Sequence, residues 1–349
     1  MTSPPSADAQ LLFLSRLQRL FAEGDFAATY KFALLISLAD LAVEHGRDDG
    51  SSLSLSTRRL ADKFVELYWQ QTAPYSAGGR TSAMHVLVQN HGSQAAVVTA
   101  ITDFQLATGI SKLQAARSSS RYKSLVTIVA GTVAAQPIEY LQNLGSSTEP
   151  FLYDRARGGI VLKPGVSYCL RRFQPLVQQL ARSHWVGHVK RNRLNLPMLG
   201  QSDDLESFLF KTSRETLEVI GAGLRRLTGA RCFYCGSTVH EADVDHFIPF
   251  SLYPRDLVHN FVLAHPVCNR SKSDTLAARP HLESWLEYIT SRDSALREIG
   301  EAAGRISEPT SSLAVARWGY ANAITSGAQA WHRAKIYERV DKHYLDCLT

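Results

Sequence analysis

The sequence has few cysteines, no long apolar run and no large excess of one charge. Five cysteines in 349 residues are too few to staple a secreted disulfide framework. The longest apolar run, Leu125 to Ala135, is interrupted by Thr127, Gly131 and Thr132 and falls short of the ~20 residues that span a bilayer. No membrane partner is expected. Met1 to Asp8 is rich in Ser and Pro, and the LLFLSRLQRLF that follows carries Arg16 and Arg19 inside its apolar stretch. That is not the uninterrupted core of a signal peptide, so a cytoplasmic location is expected. With 45% hydrophobic and 20% charged residues, neither disorder nor a fibrous repeat fits. At roughly 100–200 residues per domain, the length suggests two or three domains.

Acid is missing from two stretches in particular. The net charge of +6 is mild, yet Lys163 to Arg193 holds Lys163, Arg171, Arg172, Arg182, Lys190, Arg191 and Arg193 without one Asp or Glu. Phe104 to Pro137 holds Lys112, Arg117, Arg121 and Lys123, again without an acid. Such stretches suit a phosphate backbone, because each neutralised phosphate releases counterions. The plainer reading is a solvated basic face. Lys190, Arg191 and Arg193 are the expected nucleic-acid contacts.

The apolar spacing is mostly helical. It predicts helices over residues 10–45, 60–69, 94–108 and 112–118, broken by DDGSS at 48–52 and SAGGR at 76–80. GSSTEP at 145–150 reads as the clearest linker of the first half. FLY and IVL around Asp154 to Gly159 then read as a β-hairpin, with Gly158-Gly159 at the turn. Helices followed by a hairpin raise a winged helix, against the commoner reading of a hairpin decorating a helical domain. Asp203 with Glu206 resembles a capping box, opening a helix that runs through Thr212 to Gly229. More helix follows Lys272. The expected fold is mainly α with a small α+β unit. Its divisions are a helical domain at 1–145, a basic hairpin and helix region at 151–200, the small α+β unit with its leading and trailing helices at 203–290, and a helical extension at 291–349.

Two constellations interleave in RCFYCGSTVHEADVDHFIPFSLYPRDLVHNFVLAHPVCNRSKSD, residues 231–274. Cys232-x2-Cys235 and His265-x2-Cys268 are two ligand pairs on tight knuckles, the donor set of a closed tetrahedral zinc site. Between and after them stand Asp245-His246, Asn260, Asn269 and Lys272. The flanking patterns read as strand, loop, strand and helix. Neighbours on a strand point to opposite faces, so Asp245 and His246 take different roles.

On these motifs the segment resembles the HNH endonuclease domain, the zinc-knuckled ββα-metal family. Its DVDH opening and closing N-R-x-K-S-D are also similar to the HNH domain of RNA-guided DNA nucleases. The resemblance covers about Arg231 to Asp274. It implies His246 as general base, Asp245 and Asn269 as ligands of one magnesium or manganese ion, and Asn260 as the residue orienting His246. It further implies Lys272 near the phosphate and a structural zinc. Two positions depart from the pattern: His265 replaces a cysteine of many members, and Ser273 replaces a second histidine of some. His240, His259 and His281 read as solvated.

The expected function is a metal-dependent endonuclease acting on DNA, in restriction or phage defence, with residues 1–220 choosing or positioning the substrate. A homodimer would serve double-strand cleavage. The rivals are a zinc-stabilised nucleic-acid-binding module without cleavage, an RNA nuclease, and an effector switched on by a partner protein or ligand at the N-terminal region. Nothing in the residues separates DNA from RNA.

Overall fold

The computed structural model describes residues 3–75, 85–199 and 204–348, and the chain divides into two compact units. The first comprises Met1–Ser111 and Ser118–Lys211. Helix α1 (Ala7–Glu23) starts at Ser6, whose hydroxyl accepts from the Ala9 N–H, and buries Phe13, Leu17 and Leu20. Helix α2 (Tyr30–His45) is buried on nearly every side, as a helix apolar all round must be. Strand β1 (Leu53–Ser56) leads into α3 (Thr57–Trp69), which Ser56 caps by accepting from the Arg59 N–H. A short pair, β2 (Pro74–Tyr75) and β3 (His85–Val86), precedes α4 (Ala96–Thr108), which stops at Gly109 in the left-handed conformation. Helix α5 (Leu113–Ser118) belongs, save for its last residue, to the second unit.

The longest apolar run is helix α6 (Tyr122–Ala135), followed by α7 (Pro137–Tyr140). Two hairpins come next, β4 (Asn143–Leu144) with β5 (Ser147–Thr148), and β6 (Tyr153–Ala156) with β7 (Gly159–Leu162). The GSSTEP stretch is therefore not a free linker. Leu144 pairs with Ser147, and Glu149 is held by Arg19 of α1 at 3.0 Å. Helices α8 (Val166–Arg172), α9 (Gln174–Arg191) and α10 (Leu205–Phe210) complete the unit.

A three-stranded antiparallel sheet in the order β1-β7-β6 ties residues 53–56 to 159–162, with Leu53 opposite Leu162 and Ser56 opposite Gly159. The segments read separately as 1–145 and 151–200 share this unit. The basic stretch also divides. Arg171 is buried, binding Asp48 and the carbonyls of Ala42 and Val43. Arg182 is buried against Gln178 and the Phe210 ring. Neither faces solvent as a phosphate contact.

The second unit comprises Lys112–Arg117 and Thr212–Thr349. Asp203, expected to open a helix, lies outside the described residues, as does the SAGGR break. The helix expected to run through Thr212 is two. Helix α10 ends at Phe210, and α11 (Arg214–Thr228) begins afresh where the Ser213 hydroxyl accepts from the Thr216 N–H. Glu215 in its first turn favours the positive helix end.

Next come β8 (Asp243–His246), β9 (Phe261–Ala264) and α12 (Pro266–Lys272). Strands β8 and β9 pair antiparallel, with Asp245 opposite Val262 and His246 opposite Phe261. Helices α13 (Arg279–Ser291), α14 (Asp293–Ala303) and α15 (Pro309–Ser326) surround them. Phe247 stacks on Trp285 at 4.8 Å.

The C-terminal extension is not helix throughout. Gly327, at φ 65°, stops α15, and β10 (Gln329–Arg333) and β11 (Ile336–Arg339) form a hairpin before α16 (His343–Asp346). Trp331 fixes that hairpin to α12, donating from Nε1 to the Ser271 hydroxyl at 3.1 Å. Among the described residues no helix is long and apolar enough to cross a membrane.

Candidate active site and metal centre

Cys232, Cys235, His265 and Cys268 converge, their ligand atoms all within 4.8 Å of one another. With Zn–S near 2.3 Å and Zn–N near 2.0 Å, small side-chain movements close this cage on zinc. The imidazole is already aimed. His265 Nε2 donates to the Thr238 carbonyl at 3.1 Å, while Nδ1 faces the Cys235 sulfur at 3.3 Å. That bond fixes the tautomer with the Nδ1 lone pair toward the sulfurs, the usual task of a carbonyl behind a metal-bound histidine. Burial raises the Cys268 thiol to about 12, helped by its two cysteine neighbours. Burial also pushes Cys235 up, but hydrogen bonds from Ser237, Cys232 and His265 outweigh it and bring the thiol down to about 7. Three cysteine sulfurs this close can all ionise only if they share a cation. The donor set fits zinc. His240 is exposed and outside the cluster, as its solvated reading expects.

The second constellation stands on β8. His246 lies between the Phe250 and Phe261 rings, centroids 5.2 and 4.7 Å away, and its side chain is 21% exposed. Its Nε2 meets Asp256 Oδ1 at 2.7 Å, and the Thr212 hydroxyl donates to the other Asp256 oxygen. Burial pushes the Asp256 carboxyl up, but His246, Thr212 and Arg305 outweigh it and hold it down to about 2. Asp256 is thus a carboxylate at neutral pH. Nε2 must carry the proton of their bond, which leaves the Nδ1 lone pair as the basic nitrogen.

Asn260 does not hydrogen-bond His246, contrary to the expectation from the sequence. Its side chain accepts from the Ile248 N–H at 2.7 Å and donates to the Ile248 carbonyl at 2.8 Å. Its own carbonyl takes the Phe247 N–H at 2.7 Å. Asn260 pins the chain just after His246, and Asp256 is the group that holds the ring.

Asp245 and Lys272 also differ from expectation. Asp245 is 7% exposed. It accepts from the Tyr234 hydroxyl at 2.5 Å and lies 3.1 Å from the Lys272 ammonium. Lys272, 1% exposed, also donates to the His246 carbonyl at 2.9 Å. Burial lowers its pKa and Asp245 opposes that. An ammonium so enclosed does not approach a phosphate; it ties α12 to β8. Tyr234 sits inside the Cys232-x2-Cys235 knuckle, so its bond to Asp245 links the zinc cage to the same strand.

The carboxylate beside Asn269 is Asp243, whose Oδ2 accepts from the Asn269 amide at 2.9 Å. Both residues are partly exposed. Their oxygens fit a hydrated hard ion that keeps water in its shell; Asp245, with its oxygens engaged by Tyr234 and Lys272, does not. Asp243 shares a strand face with Asp245, two residues on, so alternation along the strand was a usable signal for it. Asp256, in a loop ten residues from His246, gave none.

Lys190, Arg191 and Arg193 lie at and just beyond the C-terminus of α9, Arg191 and Arg193 exposed and Lys190 half-buried. Cations there also complement the negative end of the helix. Two histidines read as solvated are not. His259 is fully buried on Asp293 at 2.8 Å, and His281 is half-buried and donates to the His332 carbonyl at 2.7 Å.

Comparison with known families finds two matches. The model described as Domain of unknown function (DUF8808) matches residues 13–198, more than half of the chain. The HNH endonuclease model matches residues 232–275, the segment that holds the cysteine cage and β8, β9 and α12. No curated protein and no solved structure matches.

Proposed function

The chain belongs to the DUF8808 family and carries an HNH endonuclease domain, and from that premise we propose that it is a metal-dependent endonuclease hydrolysing DNA phosphodiester bonds. The observation that carries the reading is the His246–Asp256 pair, set on the strand of a ββα unit closed by three thiols and an imidazole. A module that only binds nucleic acid has no use for a partly exposed histidine backed by a buried carboxylate.

His246 is the general base. Its Nδ1 takes a proton from water as the oxygen attacks phosphorus and the bond to the leaving ester oxygen breaks, that oxygen taking its proton from solvent, and Asp256 stabilises the imidazolium that forms. Phe250 and Phe261 confine the ring, and Asn260 fixes the bend behind it. Asp243 and Asn269 would hold one magnesium or manganese ion, which when bound supplies positive charge to the phosphate. Asp245 and Lys272 act behind them, locking α12 against β8. Zinc at Cys232, Cys235, His265 and Cys268 is structural, since four protein ligands leave no open position.

Purified protein incubated with supercoiled plasmid, with and without magnesium, beside a structured RNA of similar length, tests this reading. Magnesium-dependent cleavage of the plasmid in preference to the RNA is expected. Cleavage of the RNA alone would move the substrate to RNA, and cleavage of neither would leave the binding-module reading.

A further inference from the structure

The first unit contains an arrangement that the nuclease chemistry does not use. Helix α2 leads through β1 into α3; α6 packs along α3; and the β6–β7 hairpin then places β7 between β6 and β1. Helix, strand, helix, helix and a hairpin whose second strand pairs with the first strand is the connectivity of a winged helix, here with residues 70–121 inserted before its third helix. In such a fold the third helix enters the DNA major groove, and the hairpin turn and the start of the second helix flank it on the phosphates.

The side chains on those three elements suit that task. Helix α6 buries Tyr122, Leu125, Val126, Val129 and Val133 and turns outward a face with no acid. That face carries Lys123, Ser124, Thr127, Gly131 and Ile128, which is 61% exposed. A Cβ added at Gly131 would touch nothing within 4 Å. The hairpin turn presents Arg155 and Arg157, and the first turn of α3 presents Arg58 and Arg59, all exposed or partly so. The three elements are joined: the Thr57 N–H donates to the Gly158 carbonyl at 2.9 Å, and the Tyr122 hydroxyl donates to Asp62 of α3 at 2.6 Å. The carboxylates on these elements are engaged, Asp62 by Tyr122, Glu66 by Lys63 and Asp154 by Lys163, and Arg155 pairs with Glu139 of α7. Among the described residues, Arg58, Arg59, Lys123 and Arg157 have no ion-pair partner.

We propose that this surface, α6 with the β6–β7 turn and the start of α3, is a duplex-DNA-binding site, with α6 in the major groove and Arg58, Arg59 and Arg157 on the phosphates. The proposal rests on the reading of the chain as acting on nucleic acid and names how it holds its substrate. A shallow, acid-free helix face with hydroxyls and an exposed methyl-bearing side chain suits base edges and thymine methyls. The arginines supply affinity that is independent of sequence. Single-stranded RNA offers no groove for α6.

The test is binding, measured separately from cleavage. The full chain carrying His246→Ala, which spares the probe, is titrated by fluorescence anisotropy with a labelled duplex DNA of about three helical turns, at two salt concentrations. Adding Arg58→Ala, Arg59→Ala and Arg157→Ala should weaken binding about tenfold or more and flatten the log–log salt slope by about 0.9 for each phosphate that is no longer neutralised. Ile128→Glu, at an exposed position, should weaken binding while thermal melting and zinc content stay unchanged. Lys190→Ala with Arg191→Ala and Arg193→Ala is the comparison set, taken from the basic stretch that the sequence singled out. If the α6 and arginine variants bind normally while the Lys190 set does not, the surface is refuted and the nuclease reading stands. If the surface binds duplex DNA as expected but protein with His246 intact cleaves nothing, the nuclease reading fails and the surface stands. Preference for a single-stranded RNA probe through these same residues would overturn the assignment to duplex DNA.

Discussion

His246 depends on a carboxylate ten residues away. Asp256→Asn keeps the shape but removes the charge that opposes the imidazolium. Turnover should fall about 10- to 100-fold, less than the ~10²–10⁴ attributed to a general base itself; single-turnover cleavage measures it. Asp256 also makes an acid-stability prediction. Its folded pKa, about 2, lies below the ordinary carboxylate value, so its contribution is present above pH ~4 and is lost as pH falls toward about 2. That is roughly 2 kcal/mol, and Asp256→Asn should flatten this limb in pH-dependent denaturant titrations. Asn260→Ala should instead loosen the bend at Phe247–Ile248 and lower stability along with activity. The sequence displayed the cluster of Cys232, Cys235, His265 and Cys268, because each pair sits in a short spacing fixed by local geometry. It concealed Asp256 and misassigned Lys272. Which polar group a loop brings to a ring, and whether an ammonium is enclosed, are decided by packing between elements, and no spacing encodes that.

At the scale of elements, the β8, β9 and α12 unit is small, and the cysteine cage closes it. Cys232→Ser, or removal of zinc by a chelator, should unfold residues around 230–275 while the first unit stays folded, because metal binding there is folding free energy. Hydrogen exchange read segment by segment checks this, and protection retained across β8 and β9 without metal would contradict it. In α6, Gly131 is exposed and its Cβ position open, so Gly131→Ala should raise the melting temperature, by up to ~1 kcal/mol in stability. Most helices here were legible as apolar spacing, as was the β6–β7 hairpin from its Gly-Gly turn. The break between α10 and α11 was not. Apolar residues keep helical phase across Lys211 to Ser213, and only the cap at Ser213 marks the restart. The β10–β11 hairpin was missed because its strands are short and mostly polar outward.

On the scale of the whole molecule, the second unit carries the HNH segment and the first presents Arg58, Arg59 and Arg157 to solvent. The acid-free stretches seen in the sequence pointed to nucleic acid, but charge alone did not tell a buried arginine from a presented one. Arg171 and Arg182 serve the interior, while Arg58 and Arg59 lay outside either stretch. The account as a whole rests on His246 acting as the base of a phosphodiester hydrolysis. Its most direct test is the single-turnover rate of duplex DNA cleavage by zinc-loaded protein in magnesium, for wild type and His246→Ala. The account predicts a loss of at least ~10²-fold with unchanged zinc content and unchanged DNA binding. A variant that cleaves within a few-fold of wild type would contradict it.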